Sequence, residues 1–255
     1  MARKIVVTSG KGGVGKTTLV ASLGMALARR GERVIVFDAD FGLNSLDVAC
    51  GVEGRVTYDI VDVIEGKCRA KQALVKHPKM ANLYVLTSRR AEMEKYVSAQ
   101  SLKAVLDGLQ AEFDYIMVDC PAGLGDGFHR AVAPCDEAIV VVEPHIASIR
   151  DADKTVAVLK SYALQSVWLA VNRVRGDLVA GGKQLAADEI ASVLKTPLIG
   201  VIPETEEWLL GGEGNGKAMR WMADALQTGK VRWSDPSKRY SGFLGAVRRA
   251  LKRKL

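Results

Sequence analysis

The stretch Gly10-Lys11-Gly12-Gly13-Val14-Gly15-Lys16-Thr17 lies between a short apolar run and a segment of helical pattern. It fits G-x-x-x-x-G-K-[ST], in which glycines let backbone N–H groups converge on phosphate oxygens. The start of the following helix adds partial positive charge. Lys16 can reach the β- and γ-phosphates of a nucleotide, and the Thr17 hydroxyl can ligate Mg²⁺. The stretch, extended by Thr18, therefore predicts a phosphate-binding loop.

Apolar runs recur along the rest of the chain, with segments of helical pattern between them. The runs are continuous in Val, Ile and Leu, which is typical of strands covered on both faces of a parallel sheet. The predicted strands are Lys4–Thr8, Arg33–Asp38, Leu83–Leu86, Tyr115–Asp119, Ala138–Val142, Val167–Val171 and Leu198–Ile202. The predicted helices include Thr17–Arg30, with Gly31 as its C-cap, Ser101–Glu112 and Ser148–Ser161. This alternation predicts an α/β fold with a doubly wound, mostly parallel sheet flanked by helices.

Three carboxylates stand at the ends of predicted strands. Phe37-Asp38-Ala39-Asp40 ends the second strand, and Asp119 ends the fourth. Side chains at these positions emerge at the edge of a parallel sheet that binds ligands. We expect Asp119 to be a Walker B aspartate, because a nucleotide site needs an acid for its metal ion. The loop Cys120–Gly123 after it would then sense the γ-phosphate.

Lys11 is unusual, since an ordinary phosphate loop has no role for a second lysine. The loop resembles that of the deviant Walker A ATPases, the MinD/ParA group, which reads KGGVGKTT. The resemblance implies that ATP and Mg²⁺ are the ligands and that Lys11 crosses a dimer interface to the partner's nucleotide. It also implies that Asp40 orients the attacking water and that Asp38 lies near Mg²⁺.

The same resemblance implies an adenine site. The family holds adenine after the sixth and seventh strands, where this chain has Asn172-Arg173 and Pro203-Glu204. An Asn or a Pro at a strand end is also common for plain turn reasons. The sequence is therefore compatible with two roles for these residues, which are contact with adenine and formation of a turn.

The resemblance to the septum-site-determining MinD branch of this group extends along the chain. Its further matches are Thr57–Asp59, Asn82–Leu86, Asp119–Gly123, Ser148–Asp153 and Gly200–Glu204. It implies an ATP-dependent homodimer that hydrolyses ATP, cycles on a membrane and helps to place the division septum. The implied partners are a division inhibitor of the MinC type and an activator or topology factor, and Asp151 and Asp153 would lie near the surface that regulatory partners use.

Two departures limit what the resemblance implies about the activator. The family sequence GLRNLD is replaced by GLNSLD at Gly42–Asp47, which removes an arginine that a MinE-like activator would meet. The stretch from Glu206 to Asp235 also matches the family poorly.

The charge of the chain is concentrated at its C-terminal end. Nine Lys or Arg and one acid lie from Gly229 to Leu255, a net +8, so that the formal +7 of the whole chain leaves −1 for the rest. On a helix, Phe243–Leu255 places Phe, Leu and Val on one side and four of its five basic residues on the other, with Lys254 on the apolar side at the chain end. Such a basic amphipathic helix is typical of an anchor to an anionic membrane surface. We therefore predict an ATPase domain at 1–228, a linker at 229–242 and a membrane-targeting helix at 243–255.

Composition bounds the remaining alternatives. The four cysteines form no C-x-x-C pair, no signal peptide is recognisable and no run of about 18 apolar residues occurs. We expect small buried thiols and a cytoplasmic protein attached reversibly to the inner face of the membrane. The alternatives are a partition ATPase of the ParA type, a flagellar-number regulator and an iron–sulfur carrier. The net charge of −1 outside the tail argues against the partition ATPase, so we expect no nucleic-acid partner.

Overall fold

An eight-stranded sheet forms the centre of this computed structural model, which describes residues 1–204, 216–242 and 245. The strands are β1 (Arg3–Thr8), β2 (Val34–Asp38), β3 (Val75–Lys76), β4 (Leu83–Leu86), β5 (Tyr115–Asp119), β6 (Glu137–Val142), β7 (Ser166–Val174) and β8 (Leu198–Pro203). Their order across the sheet is β3-β4-β2-β5-β1-β6-β7-β8. All neighbours run parallel except β3, which pairs antiparallel with β4.

Helices cover both faces of the sheet. They are α1 (Lys16–Ala28), α2 (Leu46–Ala49), α3 (Ile60–Ile64), α4 (Ala99–Leu109), α5 (Asp126–Val132), α6 (Ile146–Leu159), α7 (Gly176–Ala180), α8 (Ala187–Leu194) and α9 (Lys217–Thr228). Short 3₁₀ turns lie at Glu53–Arg55, Ala70–Ala73, Ala91–Tyr96 and Pro236–Tyr240.

Two apolar clusters, one on each face, hold these layers together. α1 and α9 pack with the side chains of one face, and α3, α4, α5, α6 and α8 with those of the other. The central strands β1, β2, β5 and β6 are buried along nearly their whole length. That burial explains why their sequences are continuous apolar runs rather than alternating ones.

The connectivity brings the ends of distant strands to one edge. β1 lies between β5 and β6, and the chain therefore leaves β1 on one side of the sheet and returns on the other. Ligands of open parallel sheets bind in the crevice beyond the carboxyl ends of the strands at such a reversal. The register pairs Val7 with Asp119 and Asp38 with Asp119, so the ends of β1, β2 and β5 lie level with one another.

The sequence prediction of a doubly wound α/β fold is confirmed, and all seven predicted strands are present. The two-residue β3 was missed, because so short an edge strand has no apolar run to mark it. The helix after the phosphate loop ends at Ala28, two residues before the predicted Arg30. Gly31 follows with φ 93°, the left-handed conformation that a glycine supplies after a helix.

The segment 229–242, which we predicted as a linker, packs against the domain. The turn Pro236–Tyr240 contacts α7, and Trp233 is half-buried against the larger apolar cluster. A Cβ atom on Gly176 would stand 2.1 Å from the carbonyl oxygen of Pro236, so the two backbones are in direct contact there.

The C-terminal helix predicted at Phe243–Leu255 lies outside the described residues, except for Gly245. The three domain boundaries therefore stay predictions. No helix in the described residues is long and apolar enough to cross a membrane.

Gly176→Ala is expected to destabilise the protein by about 1–3 kcal/mol, because the new methyl group overlaps the Pro236 carbonyl. Thermal unfolding measures this loss, and limited trypsin digestion should cut faster between Lys230 and Arg239. Gly108→Ala is the matched control, since nothing lies within 4 Å of its added Cβ in α4. It should leave the protein as stable or slightly more stable. Equal melting temperatures for wild type and Gly176→Ala would contradict the docking of this segment.

Candidate nucleotide-binding site

The predicted phosphate loop connects the end of β1 to the start of α1. Gly13 and Gly15 have φ of 79° and 92°, which only glycine adopts without strain. Gly15 is the N-cap of α1 and no side chain caps that end, so the first N–H groups of the helix are available to an anion. The Lys16 side chain is buried beside them. The loop therefore has the backbone shape and the charge that bind phosphate.

Neighbouring elements press closely on the loop. A Cβ atom on Gly10 would stand 2.4 Å from the carbonyl oxygen of Asp151 in α6, which leaves room for glycine alone. On its other side, the Gly123 N–H donates to the Ser9 carbonyl oxygen (3.4 Å). The loop after β5, which we predicted to sense the γ-phosphate, is thus joined directly to the phosphate loop.

Two buried aspartates lie side by side beneath the loop. Asp38 and Asp119 are paired across neighbouring strands and are 1% and 2% exposed. Burial, followed by repulsion from Asp38, raises the pKa of Asp119 to about 7, while a hydrogen bond from Thr17 and the charge of Lys16 oppose this. Burial is also the main cause that raises the pKa of Asp38, to about 6. The free site therefore carries negative charge that its protein surroundings compensate only in part.

The two aspartates have different partners. Both oxygens of Asp38 accept backbone N–H groups, Oδ1 from Asp40 and Oδ2 from Leu46, each at 3.0 Å. Asp38 therefore holds the loop that follows β2. In contrast, Asp119 Oδ1 is buried with no hydrogen-bond partner among the described residues. An unpartnered buried carboxylate oxygen is costly unless a cation or a water molecule completes it.

The donor set fits Mg²⁺. Asp119 and Thr17 offer hard oxygen atoms, and the Thr17 hydroxyl also accepts from Ser45 Oγ (3.3 Å). Within the described residues, no three His, Cys, Asp or Glu side chains are grouped so as to hold a metal ion. Mg²⁺ in nucleotide sites commonly uses one or two protein oxygens and takes its other ligands from water and phosphate. Asp119 and Thr17 are thus the residues that would hold it, and Asp38 lies beside Asp119 on the neighbouring strand.

Asp40 and Lys11 lie at the open side of the site. Asp40 is partly exposed, and its Oδ1 accepts the N–H groups of Gly42 (3.1 Å) and Leu43 (3.3 Å). Lys11 is exposed, and its ammonium makes no ion pair with any other residue that the structure describes. Lys16, in contrast, lies close enough to Asp119 for its charge to lower the pKa of that carboxyl.

The residues predicted to hold adenine are placed differently from one another. Pro203 ends β8, and with Glu204 it lines a cavity of about 450 Å³ together with Val174, Arg175 and the Asp235–Tyr240 region. The sequence predicted that Asn172 follows the end of its strand. The structure instead places it inside β7, where it is fully buried. Its Nδ2 donates to the Val14 carbonyl oxygen at 2.8 Å.

Sequence reasoning missed several residues that complete the site. Ser45 reaches Thr17, and Asn44 stands in the left-handed region at φ 42°, a conformation that asparagine tolerates. Both belong to the stretch that departs from the family sequence, which was the available signal. The ion pair of Glu143 with Arg173 (2.5 Å) beside the loop joins residues 30 positions apart and left no local pattern.

The expectation of buried thiols holds for three of the four cysteines. Cys50, Cys120 and Cys135 are buried, and burial raises the pKa of the Cys50 and Cys120 thiols to about 12. Cys68 is partly exposed, so the expectation was wrong there. It lies just after α3, where the chain runs along the edge of the apolar cluster.

A glycine-rich phosphate loop between the first strand and the first helix, with an aspartate at the end of the adjoining strand, defines a P-loop nucleoside triphosphatase. Residues 2–166 match a family model described as an AAA domain. The septum site-determining protein MinD of Bacillus subtilis is 43% identical over 209 residues, which cover 81% of this chain and 78% of that protein.

Solved structures agree with this assignment. The MinC:MinD cell division protein complex of Aquifex aeolicus matches with a TM-score of 0.83 at 35% identity, covering 91% of this chain and 98% of that one. The septum site-determining protein MinD of Pyrococcus horikoshii, complexed with Mg-ADP, matches with a TM-score of 0.78 at 28% identity, covering 89% and 97%. This chain belongs to the MinD family of septum site-determining cell division ATPases. The predicted family is thereby confirmed, whereas the roles of single site residues stay predictions.

Asp119 should make the nucleotide-free protein less stable as the pH rises. Its pKa is about 7 in the folded protein and about 4 when unfolded, so the folded state binds the extra proton between these values. The stability this provides is complete below pH 4 and is lost as the pH rises through 7. Asp119→Asn removes the titration. In Mg²⁺-free buffer, the free energy of unfolding of this variant should rise relative to wild type by about 3 kcal/mol at most between pH 5 and pH 8, because about two pH units of this range lie below the folded pKa.

Urea unfolding at the two pH values measures this difference. Asp153→Asn makes the same charge change at an exposed position of α6 and is the matched control. If the free energies of unfolding of Asp119→Asn and wild type differ by the same amount at pH 5 and pH 8, the raised pKa of Asp119 is contradicted.

Proposed function

We propose that this protein dimerises on binding ATP, attaches in that form to the inner face of the cell membrane, and helps to place the septum by recruiting a division inhibitor. Hydrolysis of ATP would return it to the cytoplasm. One combination of features carries the proposal: a phosphate site with an exposed second lysine, and a basic amphipathic segment at the end of the same chain.

The positions of the side chains support this nucleotide chemistry. Lys16 and the N–H groups of the loop would bind the phosphates, and Asp40 would orient the attacking water, as the family resemblance implies. Bound Mg²⁺ would neutralise charge on the phosphate oxygens. Asp38 fixes Asp40, because the Asp40 N–H donates to it. The Mg-ADP complex of the P. horikoshii relative supports the choice of ligands.

Dimerisation is supported by the contrast between the two lysines of the loop. Lys16 is buried and faces the acids of its own domain, whereas Lys11 is exposed on the surface. A charge held at the rim of a phosphate site is available to the nucleotide of a second copy. ATP would then be shared between two protomers, so that the dimer depends on the nucleotide.

Membrane attachment is supported by the sequence of the tail. Phe243–Leu255 carries five Lys or Arg and no acid, and each basic residue near anionic lipid contributes roughly 1 kcal/mol. One such helix binds reversibly. Two helices on a dimer gain about 10²- to 10⁴-fold in avidity, which makes attachment follow ATP.

A partner of the MinC type is supported by the A. aeolicus relative, which was solved in complex with MinC. In this chain the exposed Asp153 and the partly exposed Asp151 lie on α6, next to the phosphate loop. A partner bound at this helix would be close to the nucleotide and could recognise the ATP-bound state.

Lys11→Ala is expected to bind ATP as a monomer, because the cross-interface cation is lost and Lys16 remains. Gel filtration with ATP and Mg²⁺ and an equilibrium titration with ATP measure the two properties. Lys16→Ala is the matched control, because it should lose both ATP binding and dimerisation. A Lys11→Ala protein that dimerises as well as wild type would refute the role of Lys11 across the interface.

Leu251→Glu should nearly abolish sedimentation with anionic liposomes in the presence of ATP, because it places a charge on the apolar side of the tail. Arg249→Ala, on the basic side, should weaken attachment modestly and mostly at low salt. Asp40→Ala, which we expect to retain ATP without hydrolysing it, should stay attached. A DNA mobility-shift assay on the same proteins tests the partition alternative. Equal liposome binding with and without ATP, or ATP-dependent DNA binding instead, would refute the proposal.

A further inference from the structure

The guanidinium of Arg130, in α5, lies where three separate parts of the chain meet. It forms an ion pair with the Glu94 carboxylate, and its Nη1 donates to the Glu94 carbonyl oxygen at 3.3 Å. Its Cζ also lies over the ring of Phe41, 5.5 Å from the ring centroid. The Arg130 side chain is 11% exposed and Phe41 is 1% exposed. A cation is attracted more strongly to an aromatic ring when both are shielded from water in this way.

Phe41 anchors the turn that carries Asp40. Its side chain belongs to the larger apolar cluster, whereas Asp40, one position earlier, is partly exposed at the open side of the site. The Asp40 carboxylate accepts the N–H groups of Gly42 and Leu43, which lie on the other side of Phe41 in the sequence. The turn therefore closes around Phe41, and the position of its ring fixes the position of the Asp40 carboxylate.

The helix that carries Arg130 follows the loop Cys120–Gly123 and packs on it. A Cβ atom on Gly127 would stand 3.0 Å from Pro121 Cγ, so the first turn of α5 rests on this loop. Residues three positions apart lie on the same side of a helix, as Gly127 and Arg130 do. Arg130 therefore connects the turn of Asp40 to the helix that follows the predicted phosphate-sensing loop.

We propose that Arg130 is a positioning residue for ATP hydrolysis, which acts through the ring of Phe41 to hold the Asp40 carboxylate where it orients the attacking water. This role rests on the proposed function, in which Asp40 has that task. The contacts of the Arg130 guanidinium are with Glu94 and Phe41, and phosphate binding is assigned to Lys16 and the N–H groups of its loop. Arg130 therefore contributes to the rate of hydrolysis and not to the affinity for ATP.

Arg130→Met tests the guanidinium, because it keeps a long apolar side chain and removes the cation. Single-turnover hydrolysis of Mg-ATP by the full chain measures the rate, and calorimetric titration with Mg-ATP measures the affinity. We expect the rate to fall about tenfold and the Kd to stay within about twofold of wild type. Arg130→Lys keeps a cation that can lie over Phe41 and should recover part of the rate.

Asp40→Ala in the same assay separates this role from the proposed function. If Asp40→Ala hydrolyses ATP at the wild-type rate, the task of Asp40 is refuted and the role of Arg130 with it. If Asp40→Ala is slow and Arg130→Met is as fast as wild type, the role of Arg130 alone is refuted. Weaker ATP binding by Arg130→Met with an unchanged rate of hydrolysis would also overturn it, because Arg130 would then be a nucleotide-binding residue.

Phe41→Leu gives a second test, which also serves if Arg130→Met does not fold. It removes the ring and keeps an apolar side chain, so it should slow hydrolysis by a similar factor. Arg130→Met added to Phe41→Leu should slow it no further, because the two residues act through one contact. A wild-type rate for Phe41→Leu, or losses that multiply in the double variant, would overturn the role.

Arg90→Met is the matched control. It removes a guanidinium that is paired with Asp59, Asp62 and Glu65, at the start of the same segment as Glu94, and that is 28% exposed. We expect it to lower the melting temperature and to leave the rate of hydrolysis unchanged. If Arg90→Met slows hydrolysis as much as Arg130→Met does, the effect reflects lost stability and not the contact with Phe41, and the role of Arg130 is refuted.

Discussion

The loop between β1 and α1 must point its N–H groups at an anion, and much of the surrounding structure serves this requirement. Glycine conformation alone would leave the loop free to take several shapes. Two contacts select one of them: Gly10 rests on the backbone of α6, and Asn172 holds the Val14 carbonyl oxygen. α6 and β7 supply these supports from two distant parts of the sequence. A shape fixed in this way costs little reorganisation when phosphate binds.

The acids beneath the loop are not fully prepared in this way, because in the ligand-free protein one oxygen of Asp119 has no hydrogen-bond partner among the described residues. Asp38 and Asp119 are neighbours in the sheet and are buried together, and both have a raised pKa. Lys16 and Thr17 offset part of the repulsion at Asp119. A cation that enters with the nucleotide would complete the Asp119 oxygen that lacks a partner. Ligand binding and folding stability are therefore linked at this position, as they are wherever a ligand binds the folded state alone.

The segments around the site are connected to it by a few specific contacts. Asp38 holds both ends of the loop from Asp40 to Leu46, and Ser45 in that loop contacts Thr17. On the other side, Gly123 donates to Ser9 at the base of the phosphate loop. The contact of Asp38 with Leu46 is buried, whereas that of Ser45 with Thr17 is exposed.

The fold class, the phosphate loop and the family could all be predicted from the amino-acid sequence, because each depends on local patterns. Continuous apolar runs report strands buried on both faces, and the glycine and lysine spacing of residues 10–17 reports the loop whatever surrounds it. The tertiary structure alone decided that Asp38 anchors a loop while Asp119 keeps an open oxygen, although both are aspartates at strand ends. The tertiary structure also decided that Asn172 donates a hydrogen bond to the phosphate loop at Val14, and that the segment near Pro236 packs on Gly176. These differences depend on which backbone groups come within hydrogen-bonding distance across the sheet. Such distances are set by packing between residues far apart in the chain, and no local pattern encodes them.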